Sequence, residues 1–219
     1  MNRRRIYLMR HAAVAYFANG RPLRPDDVAL TEEGIEQARA AAAALAGVRF
    51  DRVLTSGLPR TVETARIVAP GADPESWPEL REPEGGRLGD IPEDELERTF
   101  VHAFHGVVPE DVRFLGGETI AALFDRVLPA LDRLLGDPEW DVVLAVLHGG
   151  VNRAILSHAL TAGRTFLGGF EQAPGCINVL DVDASGWIVR AVNMAPYDPV
   201  HLRGRLTTME ELWAQFRST

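Results

Sequence analysis

A chain of 219 residues, 46% hydrophobic and 25% charged, has the composition of an ordinary globular protein with enough bulk for a substantial core. Its net charge of −8 excludes the basic footprint of a general nucleic-acid binder. Every one of its 23 Lys or Arg residues is Arg, which removes Schiff-base and pyridoxal enzymes, P-loop NTPases and the usual kinases, all of which need a lysine. No apolar run approaches the ~20 residues of a membrane span. The apolar stretch Ile6–Met9 is too short for a secretory signal, and the single Cys176 excludes an internal disulfide framework. The expected compartment is the cytoplasm.

In chain order, Ile6-Tyr7-Leu8-Met9 reads as a buried strand that runs directly into Arg10-His11. Ligands of open α/β sheets sit beyond the carboxyl ends of strands. A histidine beside an always-charged arginine at that place has the makings of a nucleophile next to an anion clamp. Residues 12–28, with Gly20, Pro22 and Pro25, read as a long surface loop of the functional kind. Thr31 then caps a helix to Leu45, with Glu32 and Glu33 in its first turn and Gly47 as its stop. A second strand over 50–55 leads into Ser56-Gly57-Leu58-Pro59-Arg60-Thr61, which opens a helix to about Val68. Arg60 thus falls at a strand-to-helix junction, where backbone amides and the helix dipole already favour an anion.

Residues 71–78 form a Pro-rich connection, and Leu80-Arg81-Glu82-Pro83-Glu84-Gly85-Gly86 places a carboxylate in a loop ahead of glycines. The acidic stretch 90–114, with a helix expected from Pro92 to about His105, reads as an insertion lying over the sheet. Gly116-Gly117-Glu118-Thr119 starts a helix to Leu135 that Pro129 should kink or divide. Asp141–Leu147 is the clearest buried strand; it ends in His148-Gly149-Gly150, with a helix from Val151 to about Thr161. A late strand pair, Cys176–Val182 and Trp187–Asn193, flanks the turn 183–186, and a short amphipathic helix follows from about Met209 to Phe216. With no repeat, low-complexity tract or linker, the expected architecture is a single α/β domain over 1–219. It would be a three-layer α/β/α sandwich with a mostly parallel central sheet and a lid insertion at about 83–114.

Two guanidinium groups (Arg10, Arg60) and two imidazoles (His11, His148) converging on one pocket make an electropositive cup in an acidic protein, with Glu82 as a candidate acid. A phosphate monoester is the natural guest of such a cup. The chain resembles the histidine phosphatase superfamily, also called the phosphoglycerate mutase-like family. Arg10-His11 stands at its Arg-His-Gly signature, Leu30–Ala38 is similar to its "LTxxGxxQA", and Ser56–Ala65 to its "SxLxRxxxTA". Leu80-Arg81-Glu82 matches the segment bearing its acid, Gly116-Gly117-Glu118 its "GGE", and His148-Gly149-Gly150 its second-histidine motif. The matches come in the family's order and reach to about Asn193.

The resemblance implies that His11 is a nucleophile forming a transient phosphohistidine. It makes Arg10, Arg60 and His148 phosphate ligands, Glu82 the proton donor and later base, and the Gly149 amide a further phosphate contact. It implies no metal and no other cofactor. The chain departs from the pattern at Ala12, where the family has Gly, and at Phe17, where many members have a phosphate-binding Asn. The mutase continuation Arg-His-Tyr-Gly after the acid is replaced by Pro83-Glu84-Gly85.

The expected function is therefore metal-independent hydrolysis of a small phosphorylated metabolite. A mutase-type phosphotransferase, a protein phosphohistidine phosphatase and a non-catalytic phosphate-binding relative are the alternatives. The expected partner is a small-molecule phosphate monoester, with no nucleic acid and no membrane; a homodimer is left open. His102 and His105 are assigned no chemistry, His158 and His201 read as structural, Cys176 as an inert core thiol and Arg3–Arg5 as a solvated terminus.

Overall fold

The computed structural model describes residues 3–18, 21–24, 28–202 and 205–218. Its elements are β1 (Arg4–Arg10), a small ribbon of β2 (Phe17–Ala18) and β3 (Arg21–Pro22), α1 (Glu32–Ala44), β4 (Arg52–Thr55), α2 (Pro59–Val68), β5 (Glu75–Ser76) and α3 (Glu93–Val101). They continue with β6 (Val107–Val108), α4 (Ile120–Gly136), β7 (Val142–Leu147), α5 (Gly149–Thr161), β8 (Phe166–Leu167), β9 (Ile177–Asp183), β10 (Gly186–Met194) and α6 (Thr208–Arg217).

The main sheet has the order β10-β9-β1-β7-β4-β5. β1, β7, β4 and β5 run parallel, while β9 pairs antiparallel with β1 and β10 antiparallel with β9. Central strands covered on both faces read as near-continuous apolar runs, and the period-two alternation sorts those runs between two layers. Ile6 and Leu8 of β1, with Val143, Ala145 and Leu147 of β7, join the core under α4 and α5. Met9, with Leu144 and Val146, joins the core under α1 and α2. The mostly parallel α/β/α sandwich expected from the sequence is the fold observed.

This topology places the site. The carboxyl ends of β1, β7 and β4 lie side by side, yet α1 and α2 cover one face and α5 the other. The crevice between chains leaving on opposite faces is where open α/β sheets bind ligands.

The insertion builds a third, smaller core. Phe100 of α3, Phe114 and Leu115 bury against Met209 of α6, with Trp213 and Phe216 packed on them. The Phe100 ring lies 5.4 Å from both Trp213 and Phe216. The insertion and the C-terminal helix are therefore one packed unit.

Several local expectations change. α3 stops at Val101 rather than near His105, because a turn over 102–104 and a left-handed Gly106 end it. Pro129 does not divide α4: the helix is continuous, with Leu123, Phe124, Val127, Ala130 and Leu131 all buried around it, and that burial outweighs one missing backbone bond. A short strand, β5, lies in the connection read as a loop and pairs with β4 through Leu54 and Thr55. α5 begins at Gly149, two residues before Val151. The basic start is not merely solvated, since Arg3 pairs with Asp183, Arg5 with the buried Asp181, and Arg4 reaches the carbonyls of Leu135 and Asp137.

Candidate active site

His11 follows the last residue of β1 and is buried. Its Nδ1 lies 2.8 Å from the Ala12 carbonyl. A carbonyl only accepts, so Nδ1 carries the proton and Nε2 keeps a lone pair. Burial, reinforced by the charges of Arg10 and Arg60, holds the imidazole well below its ordinary range and hence neutral at pH 7. The Tyr16 hydroxyl stands 3.4 Å from Nε2.

The helices opened by the two motifs after β1 hold the backbone behind His11. Thr64 Oγ1 of α2 accepts the Ala12 amide at 3.1 Å, and Gln37 Oε1 of α1 accepts the Ala13 amide at 2.9 Å. The Thr31 amide donates to the Ala13 carbonyl at 3.0 Å while the Thr31 side chain caps Gly34. Gly34 has to be glycine, because a Cβ there would lie 2.1 Å from that same carbonyl. Gly34→Ala is expected to destabilise by about 1–3 kcal/mol in denaturant unfolding and to lower turnover, by shifting the backbone that fixes His11. Ala12 departs from the family's glycine without cost here: its φ is not left-handed, and only its backbone carbonyl and amide are used. The Phe17 side chain lies outside the described residues.

His148 is the residue before α5, and its ring sits 5.2 Å from that of His11 at 67°. Its Nε2 is 2.7 Å from Ser56 Oγ at the end of β4. Its Nδ1 is buried with no hydrogen-bond partner among the described residues, as is Arg10 Nε. Burial and the neighbouring His11, Arg60 and Arg10 push the His148 pKa well down, so this ring is neutral as well. Arg60, in the first turn of α2, is buried. Both α2 and α5 start without a side-chain cap, leaving positive helix ends at the crevice. Gly149 adjoins Arg10, since a Cβ there would lie 3.7 Å from Arg10 Nε. Arg10 is aimed by two further contacts, to the Gln172 carbonyl at 2.6 Å and to Thr208 Oγ1 at 2.8 Å.

Glu82 is half-buried and takes the Gly150 amide on its two oxygens at 3.0 and 3.2 Å. A Cβ on Gly150 would come within 2.8 Å of Pro83 and 3.1 Å of Glu82, so the second glycine of His148-Gly149-Gly150 makes room for the acid. Desolvation raises the Glu82 pKa, against the Gly150 amide and the charges of Arg10, Arg60 and Arg153. The acid's loop is tied down by Arg126, which donates to the Glu79 and Arg81 carbonyls and pairs with Glu118 of the Gly-Gly-Glu motif. Arg10 and His11 line a cavity of about 820 Å³, whereas Glu82 lines a neighbouring cleft with Arg81, Glu118 and Arg126.

All six residues named from the sequence thus belong to one cluster around the ends of β1, β4 and β7. Sequence reasoning missed Ser56, Thr64, Gln37 and Arg126, three of which lie inside the quoted motifs. Ser56→Ala is expected to lower kcat/KM by roughly tenfold by releasing His148, the worth of about one hydrogen bond, measured by steady-state kinetics. His201, read as structural, lines the cavity. The His102 and His105 rings lie 5.4 Å apart and tilted by 35°, and His158 bonds the Gly163 carbonyl. Cys176 is buried, and burial pushes its thiol up to about 12, so it is unreactive. No described helix is long and apolar enough to cross a membrane.

The model of the histidine phosphatase superfamily (branch 1) matches residues 6–195. The chain is 31% identical over 191 residues to the adenosylcobalamin/alpha-ribazole phosphatase of Salmonella typhimurium, spanning 81% of this chain and 90% of that protein. It is 36% identical over 153 residues to a probable phosphoglycerate mutase of an Enterobacter species, spanning 66% and 69%. The crystal structure of a putative alpha-ribazole-5'-P phosphatase from Escherichia coli superposes with a TM-score of 0.66 at 26% identity, covering 87% of this chain and 96% of that one. The chain belongs to the histidine phosphatase superfamily and is an enzyme of the phosphoric monoester hydrolase class.

Proposed function

We propose that this chain hydrolyses the phosphate monoester of a small metabolite through a phosphohistidine on His11, without a metal ion. The observation that carries the reading is the buried, neutral His11, with Nδ1 held by the Ala12 carbonyl and Nε2 left as the nucleophile. Nε2 attacks phosphorus and the P–O ester bond breaks in line. Arg10, Arg60, the His148 ring and the Gly149 amide hold the three equatorial oxygens as charge builds on them. Glu82, protonated, gives its proton to the leaving oxygen. As a carboxylate it then takes a proton from water, whose oxygen attacks the phosphoryl group and breaks the P–N bond, returning His11 neutral. The residues supply nucleophile, acid and anion clamp themselves, so the chemistry needs no metal.

On this reading residues 1–219 work as one domain, with the 83–114 insertion packed on α6 as the lid, in the cytoplasm. Pro83-Glu84-Gly85 after Glu82, in place of the mutase continuation, supports water rather than substrate as the phosphoryl acceptor. The relatives named include both a phosphatase and a probable mutase, so product analysis is the test. Release of inorganic phosphate from an aryl phosphate with chelator present is expected. Isomerisation of a phosphoglycerate without net phosphate release would replace the hydrolase by a mutase.

A further inference from the structure

The family region ends at residue 195, and α6 begins at Thr208. This helix nonetheless forms a wall of the cavity that opens on His11. Its first residue is locked to the phosphate end of the site: Thr208 Oγ1 accepts a hydrogen bond from Arg10 Nη1 at 2.8 Å and donates one to Glu171 at 2.8 Å. A Thr207–Glu210 capping box fixes the start of the helix, and Trp213 and Phe216 clamp it onto Phe100 of the insertion. The wall therefore has a defined position relative to the reacting phosphorus.

Its charge is equally defined. Glu211 sits one turn beyond Thr208 on the same helical face and lines the cavity, and Glu33 from the first turn of α1 lines it too. Glu171 and Asp198 add two more carboxylates, although Glu171 faces Arg153 at 3.6 Å. Against these, the described lining residues carry a single permanent cation, Arg10, and it lies at the phosphate end; His201 is the one further titratable base besides His11. The Glu211 carboxyl is raised by partial burial and by Glu171 and Glu33, against the pull of Arg10, so these groups share one field. The cavity is thus cationic at its Arg10 end and anionic along the residues of α1 and α6 that line it.

We propose that α6 is the substrate-selecting wall of this enzyme, and that Glu211 and Glu33 restrict it to monoesters whose alcohol half is neutral or cationic, rejecting those with a second anionic group. The proposal rests on the phosphatase reading and narrows it. Phosphate esters of amino alcohols, polyols and uncharged heterocyclic nucleosides fit; phosphorylated hydroxy acids do not. Such discrimination by a repelling charge costs the preferred substrate nothing and acts on binding.

The test compares kcat/KM for O-phosphoethanolamine, glycerol 3-phosphate and 3-phosphoglycerate in wild type, E211Q, E33Q/E211Q and E211R. Each variant is normalised to its own rate on p-nitrophenyl phosphate. Wild type is expected to disfavour 3-phosphoglycerate against glycerol 3-phosphate by roughly tenfold or more, as two carboxylate repulsions across a partly solvated cavity allow, mainly through KM. The gap should narrow in E33Q/E211Q and narrow further or invert in E211R. All four proteins fold alike on this account, because both side chains are at the surface. Equal or better use of 3-phosphoglycerate by wild type, or a ratio that the variants leave unmoved while the aryl phosphate is still hydrolysed, would overturn the selecting wall and leave the phosphatase reading standing. Failure to hydrolyse even the aryl phosphate would overturn both.

Discussion

His11→Ala is expected to lose at least about 10³-fold in turnover of any phosphate monoester, because on the proposed mechanism it removes the atom that forms the covalent intermediate rather than one of several ligands. The loss should fall on kcat and leave binding largely intact. Arg10, Arg60 and His148 remain, and Arg10 is aimed by the Gln172 carbonyl and Thr208 independently of His11. Titration calorimetry with inorganic phosphate or a slow substrate should therefore return a Kd within about tenfold of wild type, a change of roughly 1.4 kcal/mol or less. An equal loss of binding would mean that His11 is one more phosphate ligand and that the nucleophile lies elsewhere. Removing the imidazole also removes a source of the depression of the His148 pKa. Burial and the two arginines still act on His148, so its ring should stay largely neutral in the variant.

Glu82→Gln is expected to carry the second largest effect, and its signature is in the pH profile. On the proposed mechanism the first step needs His11 neutral and Glu82 protonated. Activity therefore rises as pH climbs through the His11 pKa and falls as pH climbs through that of Glu82. Burial with the flanking arginines moves the first below the usual ~6.5 of an imidazole. Desolvation moves the second above the usual ~4.3 of a glutamic acid. Both shifts widen the range in which nucleophile and acid are ready together. Glutamine keeps the shape that accepts the Gly150 amide but cannot give up a proton. Steady-state kinetics should show kcat/KM for an alkyl phosphate down by about 10²–10⁴, and the alkaline limb gone. A nitrophenyl phosphate, whose leaving oxygen needs no proton, should lose far less. Equal losses on both substrates would remove Glu82 from the acid's role.

The central fold was legible in the sequence, and so were the residues that the fold brings together as the candidate site. Arg60, His148 and Gly149 stand where a strand runs into a helix, Arg10 and His11 at the end of β1, and Glu82 in a loop ahead of two glycines, and chemistry at such places needs particular residue types in a short window. The strands β1 and β7 were equally readable, since a parallel strand covered on both faces is an unbroken apolar run. What escaped is long-range. Ser56 reads as the residue before a turn, and only the adjacency of β4 and β7 places its hydroxyl on His148. Arg126 sits on an amphipathic helix like any solvated arginine, yet two of its partners are 45 and 47 residues away in the Glu82 loop. Pro129 was overruled by the packing of α4, a tertiary effect that local rules omit.

The least legible element was α6. Its own period shows an amphipathic helix, but nothing within it states that Phe100 receives Trp213 and Phe216, or that Thr208 reaches Arg10. Glu33 was visible as a first-turn carboxylate suited to the helix dipole. Its place in the lining of the same cavity as α6 follows only from the folded chain. Ala12, which departs from the family's glycine, is harmless for a reason that lies in the backbone: the Ala12 carbonyl accepts a hydrogen bond from His11 Nδ1, and the Ala12 side chain is not involved.

The most direct test of the central claim is to stop a single turnover of wild-type protein in alkali and locate the phosphoryl group by mass spectrometry. The account predicts a base-stable, acid-labile phosphoryl group on His11. It should accumulate further in Glu82→Gln when the leaving group is an aryl oxide, because the water-activating base is then missing, and be absent from His11→Ala. A phosphoryl group on any other residue, or turnover with no covalent intermediate and full activity in His11→Ala, would contradict it.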